Sequence, residues 1–442
     1  MPSVTIDRRE EQGAAGRLWY AAICVLALTP AVLVVWRQFP PVSAGLVVLL
    51  MVLASWQAGQ GQALLRATVT SLRSPGLVLA LMALAYITLS LAWTPGPERA
   101  LTRVIDVALT GLVILVMIAA VRLGAPANLS SIFPVALGLA AVLLLVNAHF
   151  DSVLNDVLGR GNRPSHLNRS AVAIVLFLPL CLTILYLAQR WLALIALATI
   201  AAVAVLGTES WAARLSLVAI ALLAPLAWRW PLLTHRVVLG GIVTGILLMP
   251  AIAFHANDLL PAWTHQKMGY ASLTIRAEAW HEYAAMIPFR PLLGFGVEAS
   301  HNVATWITTD VIREAHPTLH THGTSFDAQQ IMLMSFYHPH NMPLQIWFEL
   351  GVVGIGLTLL LVYVVFRRLE RMPRTYLPAA TLTALGIFLI ASVGFGAWVA
   401  WWLSLWGLVT VAFQLSLRQP MRPVHTTSDQ QTPAQANPST AK

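Results

Sequence analysis

Long uninterrupted apolar runs constrain this chain more than any other feature of its sequence. Each run approaches the length that crosses the hydrocarbon core of a bilayer. Backbone polar groups inside hydrocarbon must be satisfied within their own segment, so every run is predicted to be an α-helix. The runs cover residues 18–36, 42–56, 76–93, 101–121, 129–149, 170–188, 191–208, 215–230, 237–254, 341–366, 376–395 and 398–417.

The composition agrees with a membrane protein and excludes an ordinary soluble domain. Of the 442 residues, 58% are hydrophobic and only 10% are charged, whereas soluble proteins carry about a quarter charged residues. We therefore expect an all-α integral membrane protein with about twelve transmembrane helices. The count falls to ten or eleven if the short second run does not cross, or if the last two runs, separated only by GFGA, form one span.

The distribution of basic residues predicts the orientation of the chain. More than half of the 27 Lys and Arg residues lie in segments on the same side as the N-terminus, which identifies that side as cytoplasmic. The net charge of +9 is scattered among apolar runs, so membrane lipids and an anionic substrate are expected partners, and nucleic acid is not. The predicted organisation is a cytoplasmic segment at 1–17, a first bundle of about nine spans at 18–254, a large periplasmic loop at 255–340, three last spans at 341–417 and a disordered cytoplasmic tail at 418–442.

Several arginines stand on the predicted outer side, against this bias. The stretch GRGNRPSHLNRS carries Arg160, Arg163 and Arg169, and Arg214 precedes a later span. The planar guanidinium fork of arginine suits phosphate. The alternative is that these side chains only reach lipid headgroups from the interface. For the cluster, binding of an anionic substrate is favoured.

The large loop holds most of the 13 histidines and one helical pattern, LTIRAEAWHEYAAM. Arg276 and Trp280 are four residues apart in this pattern and share one face of the predicted helix. The histidine pairs HTH and HPH match no metal-binding motif, and no cysteine lies near them. We therefore expect no metal and no other cofactor.

The stretch HPHNMPLQIWFELGVVG leads from the loop into a span. A helix that starts near Asn341 places positive partial charge beside His338 and His340, which lowers the pKa of the imidazoles and favours the neutral form that accepts a proton. Asn341, Gln345 and Glu349 recur every four residues and form a polar stripe on this helix. For Glu349, a structural hydrogen bond to a neighbouring element is favoured over direct chemistry.

Two classes of function fit these residues. The first is an enzyme that acts on a lipid-linked anionic substrate, with arginines on a pyrophosphate and a histidine as the base. The second is a transporter for such a substrate. Transporters usually contain paired repeats or broken helices in corresponding halves, and the sequence contains neither pattern, so the enzyme is favoured.

Two motifs resemble those of a known family. TIRAEAWHEYAAMIPFRPLLGFGVEAS and HPHNMPLQIWFELGVVG are similar to the Arg…Trp…Pro-Leu-Leu-Gly-x-Gly and His-Asn-x-x-Leu-Gln…Glu-Leu-Gly patterns of the bacterial O-antigen ligase and polymerase family, and more closely to the ligases. On this match Arg276 and His340 occupy the positions of the essential arginine and histidine. A further family arginine has its nearest counterpart in Arg214, because Trp211 stands where that arginine often lies.

The resemblance implies a fold similar to that of C-type glycosyltransferases, in the bacterial inner membrane, with the active site facing the periplasm. It implies transfer of a glycan from undecaprenyl pyrophosphate to a sugar hydroxyl of the lipid A–core, with inversion and without nucleotide or metal. His340 would be the base, Arg276 and Arg214 would stabilise the leaving group, and Arg160, Arg163, Arg169 and His338 would bind the pyrophosphate, with Glu349, Asn341 and Trp280 in support. The alternatives are an O-antigen polymerase of the same family and a flippase for lipid-linked glycans.

Overall fold

The computed structural model of the chain describes residues 8–125, 131–150, 167–259, 273–301 and 338–418. Within these ranges every regular element is a helix, and there is no strand. Fifteen α-helices are numbered here in chain order: α1 Arg8–Val32, α2 Phe39–Gln57, α3 Gly61–Ser71, α4 Pro75–Leu89, α5 Pro97–Gly124, α6 Ile132–His149, α7 Asn168–Leu187, α8 Trp191–Leu206, α9 Trp211–Arg229, α10 Pro231–Phe254, α11 Ala256–Leu259, α12 Leu273–Met286, α13 Met342–Leu369, α14 Leu377–Val393 and α15 Ala400–Ser416.

The prediction of an all-helical, multi-pass membrane protein is confirmed. Each predicted apolar run corresponds to a helix in the part of the chain that the structure describes. Nine of the helices there are long and apolar enough to cross a membrane, namely α1, α2, α4 with the 3₁₀ turn that follows it, α5, α6, α7, α9, α10 and α13. The apolar helices α8, α14 and α15 are shorter, with 16 or 17 residues, so the count of twelve spans stays a prediction.

Helix starts follow the local sequence. Proline occupies the first turn of α2, α4, α5, α10 and α13, where the missing N–H is not needed for helical hydrogen bonds. The short helix α3 contains polar residues and was not among the predicted apolar runs.

Helix α7 lies at the centre of the largest core. Nearly all of its apolar side chains are buried, and it packs against α6, α8, α9 and α14. Two smaller cores join α10 and α13, one with α4 and α5 and the other with α12. The helix of the large loop, α12, therefore packs against the C-terminal end of α10 and the N-terminal end of α13.

Helix α13 is interrupted inside the predicted span. Gly351 has φ +60° and ψ −159°, so the backbone leaves helical geometry there. Gly351 therefore breaks the apolar run at 341–366, which was predicted as one span. A Cβ atom at Gly356 would meet no atom within 4 Å, so no neighbouring element packs closely against Gly356.

Candidate functional site

The histidine turn lies at the start of α13. His340 Nδ1 is 3.0 Å from the carbonyl oxygen of Gly394, just beyond the end of α14. A carbonyl oxygen only accepts hydrogen bonds, so Nδ1 carries the proton of the neutral ring, and the lone pair lies on Nε2. The hydrogen bond thus selects the tautomer in which Nε2 can accept a proton.

Both histidines of the turn are neutral at physiological pH. Burial lowers the pKa of His340 to about 4, helped by the nearby charge of Arg276 and opposed by the hydrogen bond to Gly394. Burial likewise lowers the pKa of His338 to about 3, with a further contribution from the adjacent His340. The direction agrees with the expectation from the helix N-terminus, but the main cause is removal of the rings from water.

Arg276 reaches the same short segment as His340. It lies on α12, and its Nη1 donates to the carbonyl oxygen of Val393 at 2.5 Å. Val393 and Gly394 are consecutive, so the two residues singled out from the sequence motifs are held by neighbouring carbonyls at the end of α14. Burial lowers the pKa of Arg276 from its usual value, yet an arginine remains charged at neutral pH.

Side chains of α12, including the predicted face of Arg276 and Trp280, hydrogen-bond to backbone carbonyls of neighbouring segments. Trp280 Nε1 donates to the carbonyl oxygen of Pro339 at 2.7 Å, between the two histidines. Tyr283 OH donates to the carbonyl oxygen of Ser300 at 2.8 Å. Together with Arg276, these side chains connect α12 to the histidine turn, to the end of α14 and to the loop that follows α12.

The polar stripe of α13 is buried and fully engaged. Asn341 caps the helix, because its Oδ1 accepts from the N–H of Leu344 at 3.0 Å. Glu349 has no exposed surface and accepts five hydrogen bonds. Its donors are Glu298 N at 2.8 Å, Ser300 N at 3.2 Å, Ser300 Oγ at 2.5 Å, Gln345 Nε2 at 2.9 Å and Trp398 Nε1 at 2.5 Å.

These donors come from three separate segments of the chain. The loop after α12 supplies the backbone at Glu298 and Ser300, α13 supplies Gln345, and the segment after α14 supplies Trp398. Gln345 Oε1 in turn accepts from the N–H of Ala397 at 2.8 Å. The carboxylate therefore joins the loop to the segment that carries the carbonyl bound by His340.

The break in α13 is filled by the loop PLLGFG. Irregular backbone at membrane depth requires protein partners for its polar groups, and here two interrupted segments satisfy each other. A Cβ on Gly294 would lie 2.3 Å from the carbonyl carbon of Glu349, and one on Gly351 would lie 2.5 Å from the oxygen of Leu292. The bonds are Val352 N to Pro291 O, Val353 N to Leu292 O, Phe295 N to Phe348 O and Gly296 N to Glu349 O.

Arg214 lies near this site on the first turn of α9. Its guanidinium lies 5.3 Å from the centre of the Trp211 ring, and its Nε is buried without a hydrogen-bond partner among the described residues. On the same turn, the Cβ of Ala212 would be 3.3 Å from a Cβ built on Gly394. The first turn of α9 thus packs beside the segment that holds His340 and Arg276.

The other predicted arginines differ in what the structure shows. Arg169 stacks on Trp401, with its guanidinium 4.5 Å from the ring centre, and donates to the carbonyl of Arg37 and to Gln38 Oε1. Part of its guanidinium is therefore occupied by protein contacts. Arg160 and Arg163 lie outside the described residues, so their predicted role in pyrophosphate binding stays a prediction.

Sequence reasoning missed several parts of the site. The carbonyls of Val393 and Gly394 are backbone groups and have no side-chain signature, although the GFGA interruption marks the segment. Glu298 was not singled out from the sequence, and it pairs with Arg99 at 3.1 Å and with Arg103 at 3.4 Å. Among the described residues no group of three or more His, Cys, Asp or Glu side chains could hold a metal ion, and metal independence stays a prediction.

Comparison with known proteins finds a family match over a region that contains most of this site. Residues 165–359 match the family model described as O-antigen ligase. The resemblance inferred from the two motifs is confirmed. The matched region covers under half of the chain, and it includes α7 to α12 and the first part of α13 with the histidine turn.

Curated relatives carry a consistent name. A protein of Rickettsia felis named "Putative polysaccharide ligase" is 27% identical over 173 residues, which are 38% of this chain and 38% of the relative. A protein of the same name in Rickettsia bellii is 28% identical over 182 residues, which are 39% of this chain and 40% of the relative. The chain thus matches about two fifths of the length of these relatives. The family match and the names support a ligase-type role.

Proposed function

We propose that this protein is an O-antigen ligase. It transfers a glycan from undecaprenyl pyrophosphate to a sugar hydroxyl of the lipid A–core, at the periplasmic face of a bacterial inner membrane. The observation that carries the proposal is the pair of consecutive carbonyls that orient His340 and Arg276 together. The O-antigen ligase match over residues 165–359 supports the reaction class.

His340 acts as the general base in this proposal. Its neutral ring has the lone pair on Nε2, which removes the proton of the acceptor hydroxyl as the oxygen attacks the anomeric carbon. A positioned base of this kind contributes roughly 10²–10⁴-fold to the rate. The hydrogen bond from Nδ1 to Gly394 stabilises the imidazolium that forms.

The arginines stabilise the leaving group. As the new bond to the acceptor oxygen forms, the bond between the anomeric carbon and the pyrophosphate oxygen breaks, and the electron pair goes to the pyrophosphate. Arg276 has further N–H groups beyond the one bound to Val393, and Arg214 lies on the adjacent turn of α9. Attack from the face opposite the leaving group inverts the anomeric carbon. Each preorganised donor at such a centre is worth about 3–4 kcal/mol.

The test uses purified protein with an undecaprenyl-pyrophosphate-linked glycan and either lipid A–core or a second lipid-linked glycan as acceptor. We expect transfer to lipid A–core, which His340→Ala lowers by at least about 10²-fold. His255→Ala is the matched control, because His255 is an exposed histidine whose ion-pair partner in the part of the chain that the structure describes is Asp258. Extension of the second lipid-linked glycan alone would identify a polymerase. Absence of transfer to either acceptor would contradict the proposal and favour a transporter.

A further inference from the structure

The first histidine of the HPH turn binds the backbone of the second. His338 Nδ1 accepts a hydrogen bond from the N–H of His340 at 3.1 Å. Asn and Asp make the same connection in Asx turns, in which a side-chain oxygen accepts from the N–H two residues further on. Pro339 lies between them and has no N–H, so the N–H of His340 is the first one available.

This bond supports an unusual backbone conformation. His340 has φ +52°, in the left-handed region that is unfavourable for a residue with a side chain. Such a conformation persists only where its surroundings hold it. Here His338 binds the N–H of His340, Trp280 binds the carbonyl of Pro339, and the ring of His340 is bound to Gly394.

The ring of His338 is itself held in place. Its centre is 4.2 Å from that of His340. A Cβ on Gly396 would lie 3.1 Å from His338 Nδ1 and 2.8 Å from Gln345 Oε1, so the ring packs tightly against the segment after α14. Since Nδ1 accepts a hydrogen bond, the proton of the neutral ring lies on Nε2, and the ring carries no charge with which to attract a phosphate.

We propose that His338 is a positioning residue: its Nδ1 mimics the side-chain oxygen of an Asx turn and holds His340 in the left-handed conformation that presents Nε2 to the acceptor hydroxyl. This role replaces the pyrophosphate contact that the sequence predicted for His338. It rests on the proposed function, in which His340 is the base. It also explains why two histidines flank one proline, because the first supplies the acceptor and the second supplies the chemistry.

The test compares two substitutions that separate the acceptor from the ring. Asparagine in His338→Asn retains an Asx-turn acceptor but loses the ring, whereas phenylalanine in His338→Phe retains a ring but loses the acceptor. We expect His338→Phe to lower kcat by on the order of 10²-fold, because the base is displaced, with the KM for the lipid-linked donor unchanged. We expect His338→Asn to retain kcat within about tenfold of the wild-type value.

The contrary outcomes are distinct. Equal loss of kcat in both variants, or full activity of His338→Phe, would refute positioning through Nδ1. A raised KM for the donor in both variants would instead indicate a pyrophosphate contact and would also refute it. If His338→Phe does not fold, His338→Leu takes its place as the variant without an acceptor, and thermal unfolding of each purified variant reports folding.

The same assay separates this inference from the proposed function. Wild-type protein and His340→Ala are measured alongside the variants of His338. If the wild type transfers no glycan, the proposed function fails whatever the variants of His338 show. If His340→Ala is fully active, His340 is not the base, and both that role and the positioning role of His338 fail. If both behave as expected while Asn and Phe at position 338 are equivalent, only the positioning role fails.

Discussion

Glu349→Gln removes one acceptor atom from a fully buried carboxylate that joins three segments of the chain. Oε1 accepts from Ser300 N, Ser300 Oγ and Gln345 Nε2, and Oε2 accepts from Glu298 N and Trp398 Nε1. The amide of glutamine retains one oxygen and replaces the other with an NH₂ group. Whichever way the amide is turned, at least two buried N–H donors then face another donor.

The expected cost follows from this geometry. A buried donor left without its acceptor costs about 1–3 kcal/mol, so two such donors predict a loss of about 2–6 kcal/mol in the free energy of unfolding. This is a large fraction of the roughly 5–15 kcal/mol that is typical of folded proteins. Glutamine is close to glutamate in size and shape, so the change in packing contributes little.

The matched control is Glu370→Gln at the other end of α13. Glu370 forms ion pairs with Arg236 and Arg367, both of which have exposed side chains. Surface ion pairs of this kind contribute about 0–1 kcal/mol. Both variants would be purified in detergent, and the free energy of unfolding would be measured by titration with SDS.

The comparison has a clear negative result. If Glu349→Gln is destabilised by no more than about 1 kcal/mol beyond Glu370→Gln, the five hydrogen bonds do not hold the loop to α13 as we infer. We also expect a lower rate of glycan transfer by Glu349→Gln, because Trp398 belongs to the same short segment as Gly394, whose carbonyl orients His340.

Three further predictions concern the loop, the leaving group and the base. Gly294 has φ +69°, and Gly294→Ala places a Cβ against the backbone of Glu349, so we expect a loss of about 2–5 kcal/mol in stability from the left-handed conformation and the clash. The control Gly356→Ala lies in open space with helical geometry and should be neutral or stabilising by up to about 1 kcal/mol. Equal effects of the two substitutions on thermal unfolding would contradict this account. Arg276→Lys should lower kcat/KM for the lipid-linked donor by about 10–200-fold, equivalent to about 1.5–3 kcal/mol for a lost charged hydrogen bond. Unchanged kinetics would argue against recognition of the pyrophosphate by the planar guanidinium. Because burial lowers the pKa of His340 to about 4, its ring stays neutral below the usual pKa of histidine. The rate of transfer should therefore be nearly constant from pH 8 to about pH 5 and fall as the pH drops through about 4. A loss of rate centred near pH 6.5 would show that the ring titrates as an exposed histidine.

The helical class, the positions of the helices and the two motifs were predictable from local sequence. Apolar runs of this length have few other solutions in a membrane, and the C-terminal end of α12 lies where Pro288 follows the helical pattern. Arg276, Trp280 and His340 could be selected because their residue types and spacing resemble known motifs. The break at Gly351 could not be predicted from the sequence. A glycine in an apolar run is compatible with a continuous helix, and the loop that occupies the break is distant in sequence.

For this protein, local sequence determines where the chain is helical and which residues can perform chemistry, since both depend on residue type and on neighbours a few positions away. The tertiary structure alone decides how those residues work. It brings the end of α14 into contact with α12 and with the histidine turn before α13, so that consecutive carbonyls at Val393 and Gly394 orient Arg276 and His340. It also buries Glu349 among donors from three segments, because backbone groups far apart in sequence must find partners once they are removed from water.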